Sequence, residues 1–197
     1  MAKADPASSK SKKEKNKTAR WVITIFLITI FISGVISVVS DEIMEASSIA
    51  VAFLILLVIV LIGILFDIIG VAVTSAEEKP FHSMAARKVP GAVESLRLLR
   101  NAERVSSICN DVIGDICGVV SGSASATIAV QVLENFEFTW PRMVSLVMSA
   151  LVAGLTVGGK AIGKTFAIGS CTKIVTLVGR MIYHLRHFKD VFRKKKS

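Results

Sequence analysis

Asn110, Asp111 and Asp115 lie in CNDVIGDICG, residues 109–118, whose other members are apolar or small. One amide oxygen and two carboxylates are hard oxygen ligands. They suit a hard cation such as Mg2+, which keeps several waters and takes one or two carboxylates from a protein. The four-residue separation puts Asp111 and Asp115 on one helical face, with Asn110 beside it. The hydroxyls of Ser75 and Ser121 would complete such a shell. A structural reading uses the same residues. Lys160 or Lys164, in another apolar stretch, would pair with Asp111 or Asp115 and bind no ion. Spacing leaves both readings open.

Other chemistries find less support. His82, His184 and His187 fall in charged segments without a nucleophile partner, and no phosphate loop or hydrolase metal spacing accompanies them. They read as solvated, and no enzyme activity is expected. Cys109, Cys117 and Cys171 form no CxxC pair and have no nearby histidine, so they read as small reduced thiols rather than zinc ligands or a disulfide.

The elements that must position these groups are long apolar runs. The chain has 197 residues and is 52% hydrophobic, more than is usual for a soluble domain. Residues 21–40 and 46–66 carry no charge. Each run makes about 30 Å of helix, the thickness of a bilayer's hydrocarbon core. The first run has the basic lead of a signal peptide, but it is longer than a typical signal core and SVVSDE is a poor cleavage site. It reads as a retained helix.

The expected fold is an all-α membrane protein with about four transmembrane helices, at 20–40, 46–75, 105–133 and 143–168. Amphipathic interfacial helices follow the second span, with a break near Pro90 and Gly91, and follow the fourth, with Ile174, Leu177, Met181, Leu185, Phe188 and Phe192 on one face. The division is a basic, irregular tail over 1–19, an additional span over 20–40, a transmembrane core over 41–170, and an amphipathic helix with a basic tail over 171–197. Gly114, Gly118 and Gly122 recur every fourth residue, an interval that lets helices approach closely in lipid.

Net charge is +9, unevenly placed. Residues 1–20 hold seven lysines and arginines against Asp5 and Glu14, and the stretch from Lys173 on holds eight against Asp190. The loop after the second span is also rich in Lys and Arg. The loops at 41–48 and 134–142, the latter with Glu134, Glu137 and Trp140, are mostly acidic. Four spans with both termini in the cytoplasm satisfy the positive-inside rule at every connection, as expected of a multi-pass protein of the cell membrane. Basic ends of this kind meet anionic lipid headgroups, so nucleic acid is not an expected partner.

The order of elements resembles the transmembrane domain of the CNNM and CorC magnesium transporters, also called domain of unknown function 21, over about residues 60–195. GVAVTSAEEKPFHSMAARKVPGAVESLRLLRN, residues 70–101, looks like that family's first helix end and basic connecting helices, with Ala72, Ser75, Ala85 and Ala92 on its small positions. ICNDVIGDICG looks like its second helix, where Asn110 falls on the Asn of a magnesium-binding Gly-Asn motif. GGKAIGKTFAIG looks like its third helix, which in the family reads Gly-Glu-x-x-Pro-Lys. Gly159 and Lys164 match, while Lys160 replaces the Glu, Gly163 the Pro, and Gly70 an acid near the first helix end. The resemblance implies a three-helix core, a homodimer, a C-terminal belt helix and a Mg2+ or Co2+ ion bound between the helices. The family's regulatory CBS domains have no counterpart in these residues, and the span at 20–40 is an addition. A lysine in place of the acid reverses the charge there, and its ammonium would neutralise Asp111 or Asp115.

Overall fold

A computed structural model describes residues 6–136 and 140–194, with side chains described over 20–44, 46–136 and 140–187. Met1 to Asp5, the loop tip with Glu137 and the last three residues of the basic tail lie outside the described residues, as do the side chains of Phe188 and Phe192. The described residues form helices and turns without a strand. The helices are α1 (Pro6–Glu45), α2 (Ile49–Ser75), α3 (Lys79–Ala86), α4 (Ala92–Arg100) and α5 (Ala102–Ser107). A π-helical turn (Ile108–Gly114) joins α5 to α6 (Asp115–Asn135), followed by α7 (Pro141–Gly169) and α8 (Cys171–Lys194).

Among the described residues, four stretches are long and apolar enough to cross a membrane: Arg20–Met44, Ile49–Ser75, Ala102–Asn135 and Pro141–Gly169. The all-α, four-span expectation therefore holds, with boundaries moved by a few residues. One difference lies at the start. Residues 6–19, expected to be irregular, continue the first span as helix. Pro6 is compatible with a first helical position, and the Ala, Lys and Glu that follow are good helix formers, with no Gly or further Pro before Gly34.

α2 is the central element and touches α1, α6, α7 and α8. Its mates alternate in direction, so the bundle has two ends. The acidic end carries the turn at 46–48 and the start of α7, and the basic end carries α3, α4 and α8. Two larger apolar clusters fill the interior, with a smaller one at Val112, Ile116 and Val120. Toward the acidic end, Met44, Leu56, Val60, Ala124, Ile128 and Val152 pack together. Toward the basic end, Ala72, Val73, Phe81, Leu99, Ala167 and Val175 do so. Large apolar side chains such as Phe31, Leu54, Leu151 and Phe166 point outward, as expected where hydrocarbon is the solvent. Ala102–Asn135 spans 34 residues, about 51 Å of helix, longer than the hydrocarbon core, so part of it extends beyond.

α1 docks through one stripe. Ile25, Thr29, Ser33, Ser37 and Asp41 recur at four-residue spacing and are half-buried, as is Ser40 beside them, and Met44 ends the row fully buried. Ile25 packs on Val112, Ile116 and Val120. The Ser123 hydroxyl reaches both Asp41 oxygens at 3.1 Å, Thr127 donates to Asp41 Oδ1 at 3.5 Å, and Gln131 Nε2 donates to Met44 O at 2.7 Å. Hydrogen bonds to a carboxylate carry more than neutral ones, about 1.5–3 kcal/mol together with their desolvation. Asp41→Ala should therefore lower the thermal stability of the purified protein, while Asp41→Asn, which keeps an acceptor, should lose less. Equal melting of Asp41→Ala and wild type would contradict this docking.

The α3–α4 break falls at Arg87–Gly91, where Lys88 and Gly91 adopt positive φ of 55° and 87°. Gly91 allows α8 to cross closely: a Cβ there would lie 2.5 Å from the backbone N of Arg180. Ser95 Oγ sits 3.0 Å from Gly91 O and 3.1 Å from Val175 O. α8 thus lies on α4, with Leu177, Met181 and Leu185 facing away from the bundle, as expected of an interfacial helix.

Candidate functional site

Between the two apolar clusters lies a polar layer built on glycines. α2 places Asp67 and Gly70 one turn apart on the same face. The π-helical turn presents Gly114 and Asn110 to that face. A Cβ on Gly114 would sit 2.5 Å from Asp67 Oδ1, and one on Gly70 would collide with Asn110 Oδ1. Each polar side chain therefore rests on the other element's glycine. α7 closes the third side: Ile68 Cγ1 lies 2.9 Å from where a Gly163 Cβ would be, and Ile64 presses on Gly159 in the same way. That approach carries Lys160 into the layer.

The Lys160 ammonium lies 3.5 Å from Asp67 Oδ2 and donates to Gly114 O at 3.2 Å. Asp67 is 4% exposed, and the Lys160 side chain 20%. An ionised carboxylate is expensive in such surroundings unless paired, and this one is paired. Its other oxygen, Oδ1, is buried with no donor. Asn110 Nδ2 donates to Ser106 Oγ at 3.2 Å, while Asn110 Oδ1 is also buried without a donor. The layer therefore holds one carboxylate, one ammonium and two acceptor oxygens still unspent.

Of the residues expected to hold a cation, only Asn110 enters this layer. Asp111 and Asp115 do share a face, but it is an outer one: both are exposed, with Ile108, Val119 and Gly122. Asp111 Oδ2 accepts from Ser107 Oγ at 2.7 Å. Ser75 is exposed at the end of α2, eight residues and about 12 Å beyond Asp67. Ser121 is buried, donates to Gly118 O at 2.9 Å, and lines a cleft with Lys160. The Asp–Lys pair exists, but its carboxylate is Asp67, not Asp111 or Asp115, because the turn points those two away from α7. Lys164 is exposed. Asp67 carried a legible signal, being the one charged residue in all of Ile49–Ser75. A lone acid in such a helix has a reason to be there.

Gly114, Gly118 and Gly122 were expected to pack alike. Only Gly114 does; around Gly118 and Gly122 an added Cβ would meet nothing within 4 Å. Cys109, Cys117 and Cys171 are free, Cys109 buried and the others half-buried. His82 is exposed, with Nε2 3.2 Å from Glu78 Oε2; His184 and His187 are exposed beside Tyr183. Among the described residues no three His, Cys, Asp or Glu side chains come close enough to hold a metal. A cation in the layer would therefore rely on Asp67, on the Asn110 amide and on backbone or hydroxyl oxygens. Comparison of the chain with family models, with curated proteins and with solved structures gives no match.

Proposed function

We propose that this multi-pass membrane protein is a divergent relative of the CNNM and CorC transmembrane domain that binds or transports a divalent cation, Mg2+ first and Co2+ second, at the Asp67–Asn110 layer. The observation that carries this reading is the pair of buried, donor-free oxygens, Asp67 Oδ1 and Asn110 Oδ1, on the two sides of one helix seam. Buried acceptors left unsatisfied are costly, and a bound cation would supply the partner that these oxygens lack. In this reading the protein lies in the cell membrane as a homodimer, with both termini and the basic end in the cytoplasm against anionic headgroups. No covalent chemistry is assigned to it.

Lys160 sets the terms of binding. With Asp67 and Lys160 both charged the layer is neutral, and a divalent ion would leave it strongly positive. Entry of the metal therefore requires the ammonium to leave Asp67, an exchange of a tethered cation for a mobile one. The four-carbon stem of Lys160 makes that movement feasible without tilting a helix.

A second reading, favoured by the 3.5 Å ion pair itself, is a structural or regulatory membrane protein that Lys160 holds permanently closed. A magnesium titration separates the two. A ligand selective for the folded state stabilises it, by about 2.7 kcal/mol at a hundred times its Kd. The cation reading expects Mg2+ or Co2+ to raise the melting temperature of the purified protein, Asn110→Ala to weaken that rise, and ion flux to appear in proteoliposomes. Unchanged melting and absent flux with both metals would establish the structural reading instead.

A further inference from the structure

The outer surface of the bundle changes character between α6 and α7. On the far side of α7 it is made of large side chains: Leu151, Leu155, Ile162 and Phe166 share one face, each more than half exposed. The face turned toward α6 carries Ser149, Ala153, Val157, Lys160 and Lys164 at helical spacing. Opposite, α6 has Gly118, Gly122 and Ala126, and a Cβ added at either glycine would meet nothing within 4 Å. The two helices leave an open groove of about 320 Å3 between them. Small residues at such intervals let another helix approach closely in lipid.

Charges border this surface toward its basic end. Asp111, Asp115 and Lys164 are all exposed on spanning helices. Asp111 accepts from Ser107, whereas among the described residues Asp115 and Lys164 have neither a hydrogen bond nor an ion pair. The contact of Lys160 Nζ with Gly114 O ties α7 to the third span at one depth. From there α7 runs forward, and the third span backward, to the basic end. Lys164 therefore lies at about the depth of Asp111, with Asp115 about one turn deeper. Charged side chains within spans almost always pair with one another or face water, and these opposite charges do not pair within one chain.

We propose that the groove and the charges bordering it form the interface with a second copy of this chain, related by a two-fold axis along the membrane normal. Such an axis preserves depth and makes every contact reciprocal. Lys164 of each copy then meets Asp111 and Asp115 of the other, so the complementary contact is made twice. A second copy seated there also covers the flank of Lys160 that lines the groove. The inference deepens the proposed homodimer by giving it a face; it rests on that reading for the membrane placement and not for the cation.

Charge exchange and cross-linking test it. The dimer fraction would be read by single-molecule photobleaching of fluorophore-tagged full-length chains in proteoliposomes, where wild type should bleach mostly in two steps. Lys164→Glu and Asp115→Lys each set like charges against each other and should weaken association at least about tenfold. The Asp115→Lys, Lys164→Glu double variant should recover most of that loss. Both positions are exposed, so helix content by circular dichroism should stay at the wild-type level in all three. Cross-linking keeps the native charges. In a chain with Ala at 109, 117 and 171, a short bismaleimide should join copies through Ala126→Cys but not through Leu155→Cys, which is 55% exposed on the far face of α7. A methyl at Gly122 takes up little of the groove, whereas Gly122→Leu fills it and should favour monomers. Single-step bleaching of wild type would overturn the proposal, leaving lipid as the occupant of the groove. Dimers indifferent to Lys164→Glu, or joined through position 155 and not 126, would overturn it by seating the second copy elsewhere. So would a double exchange that restored nothing. Dimers through this face without any Mg2+ or Co2+ stabilisation would retain the interface and remove the cation reading. Metal stabilisation of a monomer would remove the interface alone.

Discussion

Lys160→Met should cost about 3–5 kcal/mol of stability, because it leaves the buried Asp67 carboxylate without a counter-charge. The substitution keeps the length and apolar stem of the side chain, so packing against α2 is little altered and the loss reports the charge. Replacing both partners with apolar residues of similar volume is expected to be close to neutral, as removal of a whole buried ion pair often is. The Asp67→Leu, Lys160→Met double variant should therefore melt near wild type, and a double-mutant cycle should return a large coupling energy. Asp67→Asn should be milder, since the Lys160 side chain is 20% exposed and keeps Gly114 O. Thermal unfolding in one detergent measures these proteins, together with the Asp67→Leu single variant that completes the cycle. If Lys160→Met melted like wild type, Asp67 would not depend on this ammonium. The same variant also divides the two functional readings. With the tethered cation gone, Mg2+ should recover much of the lost stability if the layer is a cation site, and recover none if it is structural.

Gly114→Ala should also cost several degrees of melting temperature, while the same change at Gly118 or Gly122 should be neutral or stabilising. At Gly114 the new methyl would lie 2.5 Å from Asp67 Oδ1 and 3.3 Å from Lys160 Nζ, so both members of the ion pair would have to move. Overpacking of this kind costs about 1–3 kcal/mol, and a weakened ion pair adds to it. At Gly118 and Gly122 there is nothing to strike, and alanine is the better helix former by about 1 kcal/mol. Parallel losses at all three positions would mean that α6 is packed along its whole glycine row, contrary to the arrangement described.

These cases show what patterning could and could not convey. The spans were legible because uncharged runs of helical length have few alternatives to a bilayer. The break at Pro90 and Gly91 was legible because its residues fit a sharp turn, and Gly91 does take positive φ. The α1 stripe was available too, in Thr29, Ser33, Ser37 and Asp41 at every fourth position. The site was harder. Four-residue spacing correctly put Asp111 and Asp115 on a common face, but spacing does not say which way a face points. The π-helical turn, which no local residue preference announces, decided that. The partner of Lys160 lay 93 positions away in α2, and only the cost of a lone carboxylate in an apolar helix pointed to Asp67.

The seven residues Ile108–Gly114 wind more widely than an α-helix, in effect one residue inserted into a regular coil. The third span is consequently clocked in two parts: α6 packs on α1, α2 and α7, and the stretch up to Asn110 packs on the C-terminal part of α2. Rewinding the wide turn into ordinary helix would rotate one part against the other by about 100°. Asn110 would swing off Gly70 while Gly114 kept its place over Asp67, dismantling the layer from one side with no rigid-body tilt of any span.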